Sequence, residues 1–551
     1  MSSTFIDIFA RNKAGAEAIA TPPSGGSHPA GSLSYHQLKQ ALVTFQRILA
    51  DKGAVDLQPG DVVSSIFPNS LECVLAFLGT ALYRCTAAPM NPALTRDEFD
   101  FYLNDSKSRL LLVPQGTTVN HPAVQSARAC SHRCAVWVLH WDTARGGVSL
   151  VPLEEGRDNT KSTRSTVANR SGSVTEGSSF LRPPQANDTA LLLHTSGTTG
   201  RPKAVPLSHG NITQSMRNIV RTYQLTAQDR TYLVMPLFHV HGLVAGLLAT
   251  LLSGGTVVLP RKFSASHFWP DVLATGCTWY TAVPTIHQIL LRHPAPPPGS
   301  HRLRFIRSCS SALAPVVHKQ LEASYGVPVL EAYAMTEAAH QMTSNPLPPR
   351  ARKAGSVGLG FGVDVAILDD AGRTVPQGTD AEVCVRGPNV TKGYLNNPQA
   401  NATSFHADGG WFRTGDQGHL DAEGYLVITG RIKELINRGG EKISPLEVDA
   451  VLLHHPDVAD AVSFAVPDEI YGQEVHAAVV PKKKSASSGG ANGPSSLTEE
   501  QVKAYCLKSL APFKVPKRIY IVEDFPRTAT GKIQRRIVAQ HFLSKSMKAK
   551  L

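Results

Sequence analysis

Through most of the first 350 residues, short runs of Val, Ile and Leu alternate with longer stretches whose apolar positions recur at helical spacing. Asp61-Val-Val-Ser-Ser-Ile-Phe67 followed by Ser70 to Leu82 is one such pair, a short apolar strand and the helix after it. Strands that are apolar on both faces must be covered on both, so the pattern predicts an α/β protein with buried sheets. From about Ser356 to Ile428 the rhythm changes. Val363 to Leu368, Ala381 to Val385 and Tyr425 to Thr429 are short runs separated by turns such as Asp370-Ala-Gly372, which predicts a small β-rich subdomain. Residues 157–188 are rich in Ser, Thr, Asn and Arg, and 485–496 in Ser, Gly, Ala and Pro; both read as mobile loops outside the chemistry.

No Asp, Glu, Lys or Arg occurs between Thr231 and Pro260, a stretch long enough to suggest a membrane span. Pro236, His239, His241, Gly242 and the Ser253-Gly254-Gly255 turn divide it, however, into a strand, a loop, a helix and a second strand, each too short to cross a bilayer. With 551 residues the chain exceeds a single core, and two or three folding units are expected. The net charge is +12, and the residues after Gly430 hold 19 Lys/Arg against 13 Asp/Glu, so the basic excess is denser at that end. An anionic small ligand accounts for it as well as RNA does, and no interleaved aromatic and Gly signature of RNA binding is present. The eight scattered cysteines form neither a disulfide framework nor a zinc pattern, and Met1 to Lys13 lacks a basic region followed by a long apolar core, which together point to a reducing compartment.

The chemistry begins at Leu191-Leu-Leu-His-Thr-Ser-Gly-Thr-Thr-Gly-Arg-Pro-Lys203, a Gly/Ser/Thr-rich loop directly after an apolar run. Gly197 and Gly200 allow close backbone approach, Thr195, Ser196, Thr198 and Thr199 offer hydroxyl and amide donors, and Lys203 adds charge, the makings of a polyphosphate cradle. It is not a Walker A loop, because Arg201 and Pro202 separate Gly200 from the Lys and Ala204 follows it. A kinase G-x-G-x-x-G is also absent from the segment.

Four further motifs follow in fixed order: Glu331-Ala-Tyr-Ala-Met-Thr-Glu337, Trp411-Phe-Arg-Thr-Gly-Asp416, Gly430-Arg431-Ile-Lys433-Glu434 and Pro526-Arg-Thr-Ala-Thr-Gly-Lys532. Each alone is an ordinary core, turn or surface segment, but the ordered set, spanning nearly the whole chain, resembles the adenylate-forming superfamily of acyl-CoA synthetases, adenylation domains and luciferases. That resemblance implies a large N-terminal domain over 1–430, built of two αβαβα-type subdomains and the β-rich part at about 356–430, and a small mobile α+β lid domain over 431–551. It implies that Tyr333 stacks on adenine, Thr336 touches phosphate, Glu337 holds Mg2+, Asp416 accepts hydrogen bonds from ribose, Arg431 lies near the ribose, Lys433 is the hinge and Lys532 is the catalytic lysine. Ser311, Ala312, Glu331 and Ala332 join the implied ATP/AMP pocket. After adenylation the lid is expected to swing, replacing Lys532 by Arg438, Gly439, Gly440 and Lys442 beside coenzyme A. The reaction implied is attack of a carboxylate on the α-phosphorus of ATP, then thiolysis of the acyl-adenylate, with Mg2+ and an ammonium supplying positive charge where negative charge builds.

The acid pocket of such an enzyme is expected to take residues from Phe238-His239-Val-His241-Gly, from Phe305-Ile-Arg-Ser308-Cys-Ser310-Ser311 and from the segment after Glu337. His239, His241, Ser308, Ser310 and His340 make that lining polar, which would strand a fatty tail and suit a very small acid with two carboxylates. Phe305 to Ser310, Ile436-Asn-Arg-Gly-Gly-Glu-Lys-Ile-Ser-Pro445 and Gly531 to His541 resemble the oxalate-CoA ligase branch of the superfamily. An aromatic (4-coumarate-like) or medium-chain acyl-CoA ligase is the alternative within enzymes, and a nucleotide- or RNA-binding protein without turnover the alternative in another class. Ala549-Lys550-Leu551 is a variant of the S-K-L address and predicts recognition by a peroxisomal import receptor.

Overall fold

The structure, a computed structural model, describes residues 3–10, 12–24, 32–51, 55–142, 146–154, 179–195, 202–406, 409–482, 497–527 and 533–548. Four sheets organise them. In the seven-stranded sheet the spatial order is Gly147–Pro152, Ala135–Asp142, Leu110–Pro114, Val62–Ser65, Thr86–Pro89, Thr189–Thr195, Lys203–Ser208. Its five inner strands are parallel and its two edge strands antiparallel. The nine-stranded sheet is built around six parallel strands, Glu17–Ala20, Thr256–Val258, Arg230–Tyr232, Trp279–Ala282, Phe305–Ser308 and Val329–Met335. Antiparallel strands extend both ends: Ser32–Ser34 at one, His340–Ser344 and Leu359–Gly360 at the other.

Helices fill the space that parallel strands leave between their crossovers. The helix Leu71–Ala81 is buried at every position, and its N-terminus is closed by the Ser70 hydroxyl, which accepts from the Cys73 N–H at 3.3 Å. His209–Thr222 starts with a capping box between Ser208 and Asn211. One continuous apolar core takes in these helices, Leu110, Leu112 and Leu191 of the first sheet, and Val257, Trp279 and Phe305 of the second. The two large sheets are therefore locked into one unit. The charge-free stretch from Thr231 to Pro260 resolves into the end of Arg230–Tyr232, a loop, a π-helical turn His241–Leu248, the helix Ala249–Leu252 and the strand Thr256–Val258. Among the described residues no helix is long and apolar enough to cross a membrane.

The third sheet is antiparallel and four-stranded, Asp364–Leu368, Ala381–Arg386, Phe412–Leu420 and Leu426–Arg431. Phe412–Leu420, which carries Thr414-Gly415-Asp416, shows no apolar run in the sequence. Its strand forms because alternate positions, including Thr414, Asp416 and Gly418, turn inward against neighbouring strands. Beyond Arg431 a five-stranded sheet of Ile436–Arg438, Glu441–Ile443, Val458–Asp468, Gly472–Pro481 and Arg518–Ile521 has its own apolar core. Among the polar links that join it to the rest, Arg527 Nη1 donates to Thr285 Oγ1 at 3.2 Å, and the Ser444 hydroxyl donates to the Thr429 carbonyl.

Candidate functional site

A cleft of about 740 Å3 opens where the two large sheets, the antiparallel sheet and the C-terminal region meet. Pro89, Val283 and Ser310 line it and lie at or just beyond the carboxyl ends of parallel strands, the place where open α/β sheets bind ligands. Two polar groups of residues face each other across it.

The first group gathers around Glu337. Thr195 and Lys203 pair directly across the hairpin and both line the cleft; residues 196–201 between them, and with them Ser196, Gly197, Thr198, Thr199 and Gly200, lie outside the described residues. The Lys203 ammonium sits 4.6 Å from the ring centroid of Tyr394, and the Tyr394 hydroxyl donates to Glu337 Oε1 at 2.9 Å. Glu337 is 7% exposed. Burial pushes its carboxyl above the usual carboxylate range, while hydrogen bonds, including that from Tyr394, and the charges of Arg431 and Lys203 oppose the rise. Thr336 opens the short turn Thr336–Ala338 that presents Glu337. Nearby, the Tyr333 hydroxyl donates to Asp416, whose other oxygen lies 3.1 Å from Arg431 Nε. Tyr333, Asp416 and Arg431 thus meet from three strands; Arg431 lines the cleft, whereas Tyr333 and Asp416 are not part of its lining, and Asp416 is a buried acceptor oriented from both sides.

The second group is built on His241, Ser310 and His340. His241 opens a π-helical turn, and Gly242 after it packs so tightly that a Cβ would lie 2.3 Å from the Pro236 carbonyl oxygen, so only glycine lets the turn start there. Ser310 Oγ is 3.1 Å from His241 Nδ1, and the rings of His241 and His340 stack with centroids 5.2 Å apart. Ser310, Ala339 and His340 have φ of 73°, 49° and 99°, left-handed conformations costly for residues with side chains, which cluster where function over-determines the backbone. His340 is 1% exposed and its Nε2 has no hydrogen-bond partner among the described residues. Burial, and then the charge of Arg307, hold both imidazoles well below the usual histidine range, so both are neutral at neutral pH. Arg307 itself is wholly buried in the strand Phe305–Ser308 and reaches Tyr223 Oη, Thr281 Oγ1, Gln341 Oε1 and His241 Nε2, with Cys309 also beside it.

Family models agree with the site. The model for "AMP-binding enzyme" matches residues 7–395, and that for "AMP-binding enzyme C-terminal domain" matches 447–532. The chain belongs to the AMP-binding enzymes. Among similar proteins are oxalate–CoA ligases of Arabidopsis thaliana, 51% identical over 91% of each chain, and of Saccharomyces cerevisiae, 47% identical over 93% of each. The crystal structure of ATP-bound MatB from Rhodopseudomonas palustris is 27% identical, with a TM-score of 0.83 over 98% of this chain and 99% of that one. ATP-dependent acid–CoA ligation through an acyl-adenylate is the activity of this AMP-binding enzyme, with ATP and coenzyme A as substrates.

Not every residue expected at the site is gathered there. In this AMP-binding enzyme Ser308 is buried within its strand, its hydroxyl has no partner among the described residues and it does not line the cleft, while Ser311 and Ala312 are exposed and the Ser311 hydroxyl is given to the Ser310 carbonyl. The left-handed turn at Ser310 separates the three serines, so one of them alone points to His241. The Glu331 carboxylate is occupied by His318 Nδ1 at 3.0 Å and the Gly355 N–H at 2.9 Å, and neither it nor Ala332 lines the cleft. His239 is at the cleft mouth and exposed. Lys433 also lines it, whereas Arg438, Gly439, Gly440 and Lys442 form a hairpin away from the cleft lining, with Arg438 bound to Glu474 at 2.6 Å and stacked on Tyr471. Lys532 lies outside the described residues. Sequence reasoning missed Tyr394, Thr281 and Arg307. Of these only Arg307, a charge inside an apolar strand, carried a signal.

Proposed function

We propose that this enzyme converts oxalate, ATP and coenzyme A to oxalyl-CoA, AMP and diphosphate. The acid end of the cleft carries the reading: a hydroxyl and two imidazoles on neighbouring backbone, one imidazole nitrogen buried without a partner, suit a second carboxylate and would be left unsatisfied by an alkyl or aryl tail. The similarity to oxalate–CoA ligases of a plant and a yeast supports the same acid.

In the first half-reaction one oxalate oxygen attacks the α-phosphorus, a new O–P bond forms, and the bond to the bridging oxygen of diphosphate breaks. Thr195 to Lys203 would hold the departing phosphates, Tyr333 the adenine, and Asp416 with Arg431 the ribose, with Ser311, Ala312, Glu331 and Ala332 at most supporting that pocket. Glu337, a buried hard-oxygen donor beside Thr336, would hold a Mg2+ ion, which would supply positive charge to the phosphates of ATP. Lys532 would compensate the charge that builds on the α-phosphate. Gln534 lines the cleft and Arg527 donates to Thr285 of the N-terminal part, which supports adenylation as the half-reaction of this arrangement.

In the second half-reaction the coenzyme A sulfur attacks the oxalyl carbon, a C–S bond forms, the C–O bond to AMP breaks, and the thiol proton is released. We assign residues 431–551 to a lid domain that turns about Lys433 to bring Arg438, Gly439, Gly440 and Lys442 to coenzyme A. Peroxisomal import through Ala549-Lys550-Leu551 belongs to the same proposal. Acid-dependent diphosphate release with oxalate, malonate, octanoate and 4-coumarate tests the substrate. The highest kcat/KM is expected for oxalate, and a higher value for octanoate or 4-coumarate would refute it.

A further inference from the structure

The guanidinium of Arg307 is a complete positive charge sealed in the central strands of the nine-stranded sheet. Each of its partners, the Tyr223 hydroxyl at 2.7 Å, the Thr281 hydroxyl at 3.0 Å, Gln341 Oε1 at 3.4 Å and His241 Nε2 at 3.5 Å, is neutral, and no described carboxylate pairs with it. A buried cation without an anion is costly unless something negative comes to it. The hydrogen bonds around it run in one direction, toward the cleft. Arg307 can only donate, so Thr281 Oγ1 accepts from Nη1 and uses its own proton toward His241 Nε2, 2.6 Å away. An N–H at Nε2 would confront the guanidinium N–H groups, so the lone pair lies there and the imidazole proton lies on Nδ1. Nδ1–H then donates to Ser310 Oγ, and the Ser310 hydroxyl proton is left free to point into the cleft, which His340 also lines.

We propose that Arg307 is a specificity-determining positioning residue, which through Thr281, His241 and Ser310 aims a hydroxyl donor at the end of the acid pocket, backed by a buried positive charge, and so selects acids with a second, non-reacting carboxylate. The inference rests on the dicarboxylate reading of the pocket. The charge never touches the substrate. It acts through the orientation it imposes and through a field that no water screens at that depth.

The test compares the full chain with Arg307→Met, Arg307→Lys and Thr281→Val, measuring kcat and KM for oxalate, KM for ATP and the thermal midpoint. Arg307→Met is expected to raise the oxalate KM roughly tenfold or more, the scale of a hydrogen bond to a charged group, with the ATP KM within about twofold. Arg307→Lys, which keeps the charge but not the fork, is expected to fall between. Because it removes a buried unpaired cation, Arg307→Met is expected to melt within a few degrees of the parent. An unchanged oxalate KM, or oxalate and ATP KM values rising together with a collapse of the thermal midpoint, would overturn the proposal. Should the Arg307 variants not fold, Thr281→Val and the histidine 15N spectrum of the parent decide, the His241 signals being assigned by their loss in His241→Asn. A proton on Nδ1 is expected; one on Nε2 sinks the relay. The substrate reading fails separately, on the parent enzyme, if oxalate is not its preferred acid.

Discussion

Replacing Tyr394 by Phe removes one hydroxyl and leaves the ring against Lys203, so it isolates the hydrogen bond to Glu337. That bond is 2.9 Å long and ends on a carboxylate that is 7% exposed. A hydrogen bond to a buried charged group contributes about 1.5–3 kcal/mol, and each 1.4 kcal/mol is a factor of ten in an equilibrium. Burial already raises the Glu337 carboxyl, and the Tyr394 bond is among the groups that hold it down. Without that bond the carboxyl titrates higher still. In the proposed role of Glu337 as the Mg2+ ligand the carboxyl must be ionised, so activity is expected to be lost as pH falls through its titration, and in Tyr394→Phe that loss is expected at higher pH. On the acidic limb kcat/KM for ATP in the diphosphate-release assay is expected to fall about 10- to 100-fold, with the deficit shrinking as pH rises. A profile superimposable on the parent, or a loss that grows toward alkaline pH, would refute the reasoning. So would a uniform loss accompanied by a lower melting temperature, which would mark the hydroxyl as a packing contact.

Lys532→Ala is expected to reduce adenylation by roughly 10²- to 10⁴-fold while transfer of a preformed acyl-adenylate to coenzyme A survives; equal losses in both half-reactions of a folded variant would contradict the two-orientation assignment. Gly358→Ala tests the frame that carries His340, because a Cβ there would lie 2.0 Å from the Ser344 carbonyl group in the strand His340–Ser344, at a φ of +82°. Strain and backbone displacement together are expected to cost about 3 kcal/mol or more, a drop of roughly 6 °C or more in a thermal scan, and a midpoint within two degrees would show that the strand can shift.

The amino-acid sequence by itself determined the α/β class, the β-rich segment after Ser356 and the order of the motifs, because strand and helix periodicities are set by neighbours a few residues apart. It also determined the chemical types present: a Gly/Ser/Thr-rich loop before Lys203, a carboxylate at 337, an acceptor at 416. It did not show Phe412–Leu420 as a strand, since the inward positions there are Thr414, Asp416 and Gly418 rather than apolar residues. Which of Ser308, Ser310 and Ser311 meets His241 was decided by the left-handed turn at Ser310, a conformation that the serine side chain does not announce. Tyr394 lies between Lys203 and Glu337 only because a strand, a short turn and a loop from three regions of the chain converge on the cleft. Arg307 looked like an interruption in an apolar strand; its place behind His241 depends on the parallel register that sets Thr281 beside it. Meetings of this kind depend on long-range packing, where a shift of one residue turns a side chain to the opposite face, and local pattern carries no record of them.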